Sequence, residues 1–441
     1  MKILRGMKLG KHIRKDFPIY SRVLEPDNLV YLDSAATSLK PKRVIDAVRD
    51  YYESYSVNVD RGVYSLAGKA TAAYEESRRT IAQFIGASRP EEVVFVRNAT
   101  EALNLIAYSF APLVLKEGDG ILLTEMEHHA NLVPWQQLAD RNHFRIFFLP
   151  FDVQTGELEW DKKTFDSFLK ERKIKLLSLT HVSNVLGTVN PVVELAKIAK
   201  EAGVYVVADG SQSVPHMPVH VGELGADFFV FSGHKMLGPT GIGILWGRYG
   251  MLNRMPPFLT GGEMILDVGW EKSTFREPPW RFEAGTPHIA GAIGLGEAVR
   301  YLQEIGMSKV MSHEHNLMGK AISAFSGIAG LHILGPQDKE QRSGVLSFII
   351  EGIHRVRSQS PQATADVHAH QDSNGIHAHD VGSFLDERGI MIRVGDHCAR
   401  PLHKKFKIPA SSRISFSIYN DVDDIEKAAR ALGEMTKLFR V

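Results

Sequence analysis

The sequence predicts an α/β fold in which helices cover a mainly parallel sheet, followed by a smaller α+β domain. Between about residues 40 and 250, short apolar runs of strand length alternate with amphipathic helical stretches, the pattern of such sheets. After Pro287 the helical stretches become longer and precede two more strands. With 441 residues, of which 44% are hydrophobic and 23% charged, the chain can form two or three domains with buried cores.

The first part of the chain contains six predicted strands, over residues 93–96, 121–124, 146–150, 176–180, 204–208 and 228–231. A helix is predicted over 192–202, where apolar residues recur at helical spacing and Gly203 provides a C-terminal cap. Strands separated by helices run parallel, so we expect their carboxyl ends to lie along one edge of the sheet.

The second part contains predicted helices over 290–304, 308–326 and 422–438 and predicted strands over 345–350 and 414–418. The last helix should pack on this domain, because one of its faces is apolar: Ile425, Ala428, Ala429, Leu432, Met435 and Leu438. We expect a large domain over 30–287, a small domain from 1–29 and 288–441, and a flexible polar insertion at 354–374.

Charge and cysteine content exclude several classes of protein. Lys plus Arg number 52 and Asp plus Glu 51, so the net charge of +1 gives no overall preference for nucleic acid or membranes. Cys398 is the only cysteine, which excludes an intrachain disulfide and fits a reducing compartment. The basic start of the chain lacks the apolar segment of an export signal, and no run of eighteen apolar residues occurs. We therefore expect a cytoplasmic protein.

Polar clusters follow five of the predicted strands, where ligands bind in open α/β sheets: residues 97–102, 125–129, 181–184, 209–213 and 232–235. Each cluster alone is weak evidence, since an Asp after a strand is usually a helix cap and a Lys a solvated charge. Together they provide an amine, an acid, an aromatic ring and hydroxyl groups, which are the groups that pyridoxal phosphate requires. Asp209 and Lys235 are 26 residues apart, so one strand-helix-strand unit could bring them together.

Other kinds of site lack their signatures. The Gly-rich stretch 238–243 does not lead from a strand into a helix, and no Walker A, H-E-x-x-H or G-x-S-x-G pattern occurs. His368 and His370 in the insertion, with His377 and His379 after it, could suggest a metal site. We favour a solvated loop and expect no metal, although the insertion could also shape docking of a partner.

Three motifs together resemble those of the cysteine desulfurases, class V aminotransferases among the fold-type I pyridoxal phosphate enzymes. They are Ser-Gly-His-Lys at 232–235, Ala-Asp-Gly-Ser-Gln at 208–212 and Arg-Val-Gly-Asp-His-Cys-Ala at 393–399. The resemblance extends from residue 31 to residue 420, apart from the insertion, and with Gly-Gly-Glu-Met-Ile at 261–265 it is closest to the sulfur-mobilisation (group II) branch. It implies a mainly parallel, seven-stranded type of sheet in the large domain.

The resemblance also implies roles for individual residues. Lys235 would hold pyridoxal phosphate covalently, Asp209 would pair with its ring nitrogen, and His128 would stack on the ring. The remaining cofactor contacts would come from Gln212 at the ring hydroxyl and from Thr100, Ala99, Ser232 and His234 around the phosphate. The substrate carboxylate would be held by Asn184, Arg413 and Arg393. In the family, the residue at Thr286 reaches the partner subunit's phosphate, which implies a homodimer.

Cys398 determines the reaction that the resemblance implies. Lys235 and His128 would serve catalysis, and the Cys398 thiolate, favoured by His397, would take the sulfur of L-cysteine as a persulfide while L-alanine leaves. The sulfur would pass to an acceptor protein of iron-sulfur cluster or thio-cofactor assembly. Selenocysteine lysis or another pyridoxal phosphate-dependent elimination remains an alternative, and a non-catalytic assembly subunit is a third.

Three positions depart from the family pattern. Asp60 stands where the family commonly has His before Arg-Gly, Asp396 stands where a second His is common, and His288 stands where Asn is common. Asp60 therefore offers a carboxylate in place of an imidazole, whereas the residues expected to carry the core chemistry are all present.

Overall fold

The structure, a computed structural model, describes residues 8–22, 29–351 and 375–439. The predicted insertion at 354–374, with His368 and His370, lies outside the described residues. In the described part, no helix has the length and apolar character needed to cross a membrane.

The N-terminal elements pack against later parts of the chain. They are a 3₁₀ turn at Gly10–Asp16, α1 (Ile19–Arg22), β1 (Val30–Tyr31), α2 (Lys42–Ser54) and α3 (Ser65–Phe84). The Gly10 N–H donates to the Ile418 carbonyl, and β1 pairs in parallel with residues 390–391. The beginning of the chain is therefore held by its C-terminal third.

A seven-stranded sheet forms the centre of the molecule. Its strands are β2 (Val93–Val96), β3 (Gly120–Thr124), β4 (Arg145–Leu149), β5 (Ile174–Thr180), β6 (Tyr205–Asp209), β7 (Phe228–Ser232) and β8 (Gly243–Gly247). The order across the sheet is β2-β8-β7-β6-β5-β3-β4, and only β8 runs antiparallel to its neighbours. The six predicted strands and the mainly parallel α/β architecture are confirmed, whereas β8 was not predicted.

Helices cover both faces of this sheet. They include α4 (Ala99–Leu105), which continues through a π-helical turn into α5 (Ala111–Val114), and α6 (Val133–Asn142), α7 (Lys162–Glu171), α8 (Val192–Glu201) and α9 (Tyr249–Arg254). Neighbouring residues of a strand enter opposite cores: Val93 and Phe95 join one cluster, and Val94 and Val96 the other. Burial on both faces explains why these strands are continuous apolar runs.

The C-terminal part begins with a hairpin and two long helices: β9 (Ile265–Val268), β10 (Ser273–Phe275), α10 (Ile289–Ile305) and α11 (Met307–Ser326). The remaining elements are β11 (Leu331–Leu334), β12 (Val345–Glu351), β13 (Gly375–Ile376), α12 (Ala378–Asp386), β14 (Ile390–Met391), β15 (Arg393–Gly395), α13 (Arg400–Lys405), β16 (Ser411–Ser415) and α14 (Val422–Leu438). An antiparallel sheet has the order β11-β12-β16-β15, with β13 beside β12.

Helix α14 packs on this second sheet, as its apolar face predicts, because Ile425 and Leu432 share a core with Phe348 and Ile414. The strand predicted over 414–418 instead ends at Ser415. Residues 417–420 form a turn in which Asn420 Oδ1 accepts the Ser417 N–H at 2.9 Å, and this turn removes them from the sheet. The domain limits at 30 and 288 stay a prediction.

Two sheets thereby contribute to one region. The carboxyl ends of β6 and β7 present Asp209 and Lys235, and the second sheet pairs Arg393 directly opposite Arg413. The described residues near these strand ends form the candidate site.

Candidate active site

Lys235 lies in a tight 3₁₀ turn, Gly233–Lys235, that follows β7 directly. The carbonyl of the preceding His234 accepts four hydrogen bonds: from the Ser38 N–H at 3.0 Å, the Ser38 hydroxyl at 3.0 Å, the Thr37 hydroxyl at 3.1 Å and Lys40 Nζ at 2.9 Å. The backbone that carries Lys235 is therefore fixed by the segment after β1. Burial lowers the pKa of Lys40 to about 8.

Lys235 is half-buried, and its amine lies within electrostatic range of three other site residues. Burial lowers its pKa from the ordinary value, while the nearby Asp209 carboxylate acts in the opposite direction; Arg413 and Cys398 also act on it. Asp209 ends β6, is 5% exposed, and accepts the Ser211 N–H at 2.9 Å. The predicted proximity of Lys235 and Asp209 is present in the fold.

His128 is a neutral imidazole beside Lys235. Burial lowers its pKa to about 3, and Lys235, His129 and Arg413 act in the same direction. Its Nδ1 accepts the Ala130 N–H at 3.0 Å, so the ring proton is on Nε2. An uncharged ring of this kind is suited to stacking on another aromatic ring.

A buried carboxyl group to which the sequence analysis assigned no role, Glu127, directly precedes His128 in the chain. Glu127 is 3% exposed and accepts hydrogen bonds from the Thr124 hydroxyl, the Thr180 N–H and the Asn131 amide at 2.5, 3.0 and 2.5 Å. Burial raises its pKa to about 7 in spite of these bonds. Asn131 also accepts the indole N–H of Trp135 at 3.0 Å, so the network reaches the core.

The start of α4 and the end of β7 form a cradle suited to an anion. The Ala99 N–H donates to Ser232 Oγ at 2.9 Å, and Asn98 caps the helix by accepting the Glu101 N–H at 3.0 Å. Thr100 is exposed at the first turn. A side chain at Gly243 would come within 2.7 Å of Asn98 Cα, so glycine there allows the helix to approach the strand. Exposed N–H groups at such a turn attract phosphate.

Two further predicted cofactor contacts lie nearby. His234 belongs to the Lys235 turn, and burial, with Lys235 and Lys40, lowers its pKa to about 4. Gln212 donates through Nε2 to the Ala35 carbonyl at 2.9 Å, and its Oε1 is buried without a partner. An unpaired buried oxygen is costly, and a ligand hydroxyl group would satisfy it.

Arg413 and Arg393 share one carboxylate, Asp33, which the sequence reasoning did not assign. Arg393 contacts both Asp33 oxygens at 2.7–3.3 Å, and Arg413 Nη2 lies 3.6 Å from Oδ1. Arg413 is 4% exposed, donates to the Asn184 carbonyl at 2.8 Å, and has a buried Nε without a partner. Burial lowers its pKa to about 10 and leaves the guanidinium positively charged at neutral pH.

Cys398 is exposed, and its loop is fastened on both sides. The Cys398 carbonyl accepts the His129 N–H at 2.7 Å, and His129 Nε2 accepts the Arg400 N–H at 3.1 Å. The Asn184 amide donates to the His397 carbonyl at 2.7 Å, and Asp396 Oδ1 accepts the Cys398 N–H at 3.1 Å. His397 and Cys398 both have positive φ, 51° and 56°, a strained conformation that these contacts hold.

The expectation that His397 favours the Cys398 thiolate is wrong. Burial lowers the pKa of His397 to about 2, so the ring is neutral. Its Nε2–H donates to Ser411 Oγ at 3.1 Å, the Ser411 hydroxyl donates to His403 Nε2 at 2.9 Å, and His403 Nδ1–H donates to the Ala399 carbonyl at 3.1 Å. His397 therefore anchors the loop from inside.

Of the three positions that depart from the family pattern, Asp396 lies in the Cys398 loop, whereas Asp60 and His288, like Thr286, make no hydrogen bond to the site residues described above. Asp60 forms an ion pair with Arg276 at 3.0 Å, which explains why a carboxylate fits there. Thr286 and His288 are exposed, and within the described ranges Thr286 makes no hydrogen bond to another site residue. Its predicted role requires a second copy of the chain and stays a prediction.

The donor set fits pyridoxal phosphate. The Lys235 amine, the Asp209 carboxylate and the neutral His128 ring adjoin the anion cradle at Ser232. Gln212 Oε1 and Arg413 Nε are buried without partners. In the part of the chain that the structure covers, no cluster of three metal-ligating side chains occurs.

Comparison with known proteins gives a consistent result. The family model described as aminotransferase class V matches residues 30–428. The chain is 45% identical over 428 residues to a probable cysteine desulfurase of Halalkalibacterium halodurans, covering 97% of this chain and 98% of that one. It is 44% identical over 442 residues to a cysteine desulfurase of Haloferax volcanii, covering 97% of each.

Solved structures show the same similarity. A cysteine desulfurase from Thermococcus onnurineus superposes with a TM-score of 0.87 at 38% identity, covering 98% of this chain and 99% of that one. A cysteine desulfurase from Escherichia coli superposes with a TM-score of 0.82 at 33% identity, covering 97% and 98%.

Proposed function

The chain belongs to the class V aminotransferase family, and from that premise we propose that it is a cysteine desulfurase that converts L-cysteine to L-alanine and collects the sulfur on Cys398. The observation that carries the proposal is the position of the exposed Cys398 thiol. Its loop is bonded to His129, the neighbour of His128, and the thiol lies within electrostatic range of Lys235.

Pyridoxal phosphate is the proposed cofactor. Lys235 would hold it, Asp209 would pair with its ring nitrogen, and His128 would stack on the ring. Thr100, Ala99, Ser232 and His234 would surround its phosphate, and Gln212 Oε1 would accept from its ring hydroxyl. When bound, the cofactor supplies an electron sink for the substrate's α-carbon.

The side chains of this chain perform the remaining tasks. The Arg413 guanidinium, kept charged and oriented by Asp33 and the Asn184 carbonyl, binds the substrate carboxylate. Burial lowers the pKa of Lys235, which increases the fraction of free amine that can remove the α-proton. His128, neutral through the physiological range, stacks without adding a competing charge.

Sulfur transfer requires the Cys398 thiolate. Its sulfur attacks the substrate sulfur, an S–S bond forms as the substrate C–S bond breaks, and the electron pair of the broken bond stays with the carbon skeleton that leaves as L-alanine. The loop bonds to His129 and Asn184 limit the positions that the thiol can occupy. The product is a persulfide on Cys398.

The proposed function also implies an oligomeric state, a location and a partner for the protein. We infer a homodimer in which Thr286 contributes to the other copy's site, a cytoplasmic location, and transfer of the sulfur to an acceptor protein of iron-sulfur cluster or thio-cofactor assembly. Selenocysteine lysis, the alternative activity, is distinguished by comparing turnover of L-cysteine and L-selenocysteine, because turnover of selenocysteine need not depend on Cys398.

Mass spectrometry after incubation with L-cysteine tests the proposal directly. One added sulfur on Cys398 is expected, together with L-alanine. Cys398→Ala should abolish alanine formation from cysteine while the cofactor absorbance stays, and Cys398→Ser provides a control that preserves side-chain size. Undiminished desulfuration by both variants would refute the role of Cys398.

A further inference from the structure

Three exposed cations follow Cys398 closely in the sequence and form what we call the basic rim: Arg400, Lys404 and Lys407. None of them forms an ion pair with any residue that the structure describes, although the adjacent Lys405 pairs with Glu125. Unpaired charges beside an exposed thiol act on whatever approaches that thiol.

The local fold turns the rim outward. Arg400 and Lys404 are one helical turn apart on the exposed face of α13, whose other face buries Leu402 and His403. Lys407 follows the end of the helix, where its N–H donates to the Lys404 carbonyl at 3.0 Å. The Arg400 N–H donates to His129 Nε2, and the His129 N–H donates to the Cys398 carbonyl, so His129 holds both the start of the rim and the Cys398 loop.

Helix stability explains only part of this pattern. Lys404 lies in the last turn of α13, where a cation favours the helix dipole, but Arg400 begins the helix, where a cation is unfavourable. Among the neighbouring carboxylates, Glu125 pairs with Lys405, while Asp396 and Asp152 bond to backbone N–H groups, and none of the three forms an ion pair with a rim residue. The three rim cations therefore have no ion-pair partner among the described residues.

We propose that the basic rim is the docking site for a sulfur acceptor protein whose receiving thiol lies in an acidic surface. The inference rests on the proposed function, because it requires a persulfide on Cys398. In the transfer, the acceptor thiolate attacks the outer sulfur, a new S–S bond forms as the old one breaks, and Cys398 leaves as a thiolate. The step needs no oxidant or reductant.

Two synthetic peptides serve as probes, each with one Cys flanked by either six Glu or six Gln. Cys398 is first loaded from ³⁵S-labelled L-cysteine, and transfer to each peptide is measured at equal peptide thiolate concentration. The wild-type protein should transfer sulfur about tenfold faster to the Glu peptide at low salt, and the preference should disappear at high salt.

The triple variant Arg400→Gln, Lys404→Gln, Lys407→Gln should lose this preference while it loads Cys398 at the wild-type rate. The matched control, Lys116→Gln, Lys173→Gln, Lys175→Gln, removes the same charge from exposed residues near the opposite ends of β3 and β5, and should retain the preference. Equal transfer to both peptides by the wild-type protein, or an unchanged preference in the rim variant, would overturn the inference. Failure of the wild-type protein to load Cys398 would instead refute the proposed function.

Discussion

Asp33→Asn is expected to weaken binding of the substrate carboxylate without stopping the chemistry. Asp33 contacts Arg393 through both oxygens and lies 3.6 Å from Arg413, so its charge orients two guanidinium groups at once. The substitution preserves size but replaces one oxygen with an amide donor that faces these cations. Arg413, 4% exposed, would then have no carboxylate partner among the described residues.

The magnitude follows from the type of interaction. A hydrogen bond to a charged group contributes about 1.5–3 kcal/mol, which corresponds to a loss of about 10- to 150-fold in kcat/KM. The loss should reside mainly in KM, because Asp33 acts on the group that binds the carboxylate and is separate from the thiol. L-Alanine has the same carboxylate and no sulfur, so its inhibition constant should rise by a similar factor.

Steady-state formation of sulfide with a reducing agent present measures these constants. Asp46→Asn is the control, because Asp46 forms only exposed ion pairs, with Lys42 and Arg49, and should leave the kinetics unchanged. An unchanged KM in Asp33→Asn, or a fall in kcat with an unchanged alanine inhibition constant, would show that Asp33 does not orient the carboxylate site.

Two other substitutions test parts of the site. Burial raises the pKa of Glu127 to about 7, so between about pH 4.5 and 7 the folded chain keeps a proton that the unfolded chain releases. The stabilisation of the folded state by this proton is fully present below about pH 4.5 and is lost as the pH rises through 7. Between pH 5 and 8 the free energy of unfolding should therefore fall by about 2.5 kcal/mol more than in Glu127→Gln, and parallel denaturation curves would contradict this. His129→Ala removes the ring acceptor for the Arg400 N–H, worth about 1 kcal/mol, so kcat should fall about fivefold at unchanged cofactor absorbance. Wild-type turnover would show that this bond does not position the thiol.

The sequence predicted the central sheet well because most of its strands are buried on both faces and appear as apolar runs, such as β5 and β7. It missed β8, which follows a Gly-rich stretch, and β1 and β14, which are two residues each. Their strand character depends on pairing with distant segments and leaves little local signal.

The sequence likewise indicated some residues of the candidate site and missed others. Lys235, Asp209 and His128 belong to polar clusters directly after strands, and the resemblance to the cysteine desulfurases implied the role of each. Asp33, which also follows a short strand, was not assigned, since its function depends on β15 and β16 delivering two arginines to it. His397 was misinterpreted for the opposite reason: its sequence neighbours are polar, but the fold buries its ring against Ser411.

A solitary thiol also has a redox consequence. Within these 441 residues Cys398 has no second cysteine with which to close a disulfide. A sulfenic acid formed there under peroxide stress could not be resolved internally, so its repair depends on an external thiol. Because Cys398 is exposed, its thiol can pass sulfur to another protein, but it can also be oxidised beyond the sulfenic acid. The concentration of small thiols around the protein then determines whether the sulfenic acid is reduced again or is oxidised irreversibly.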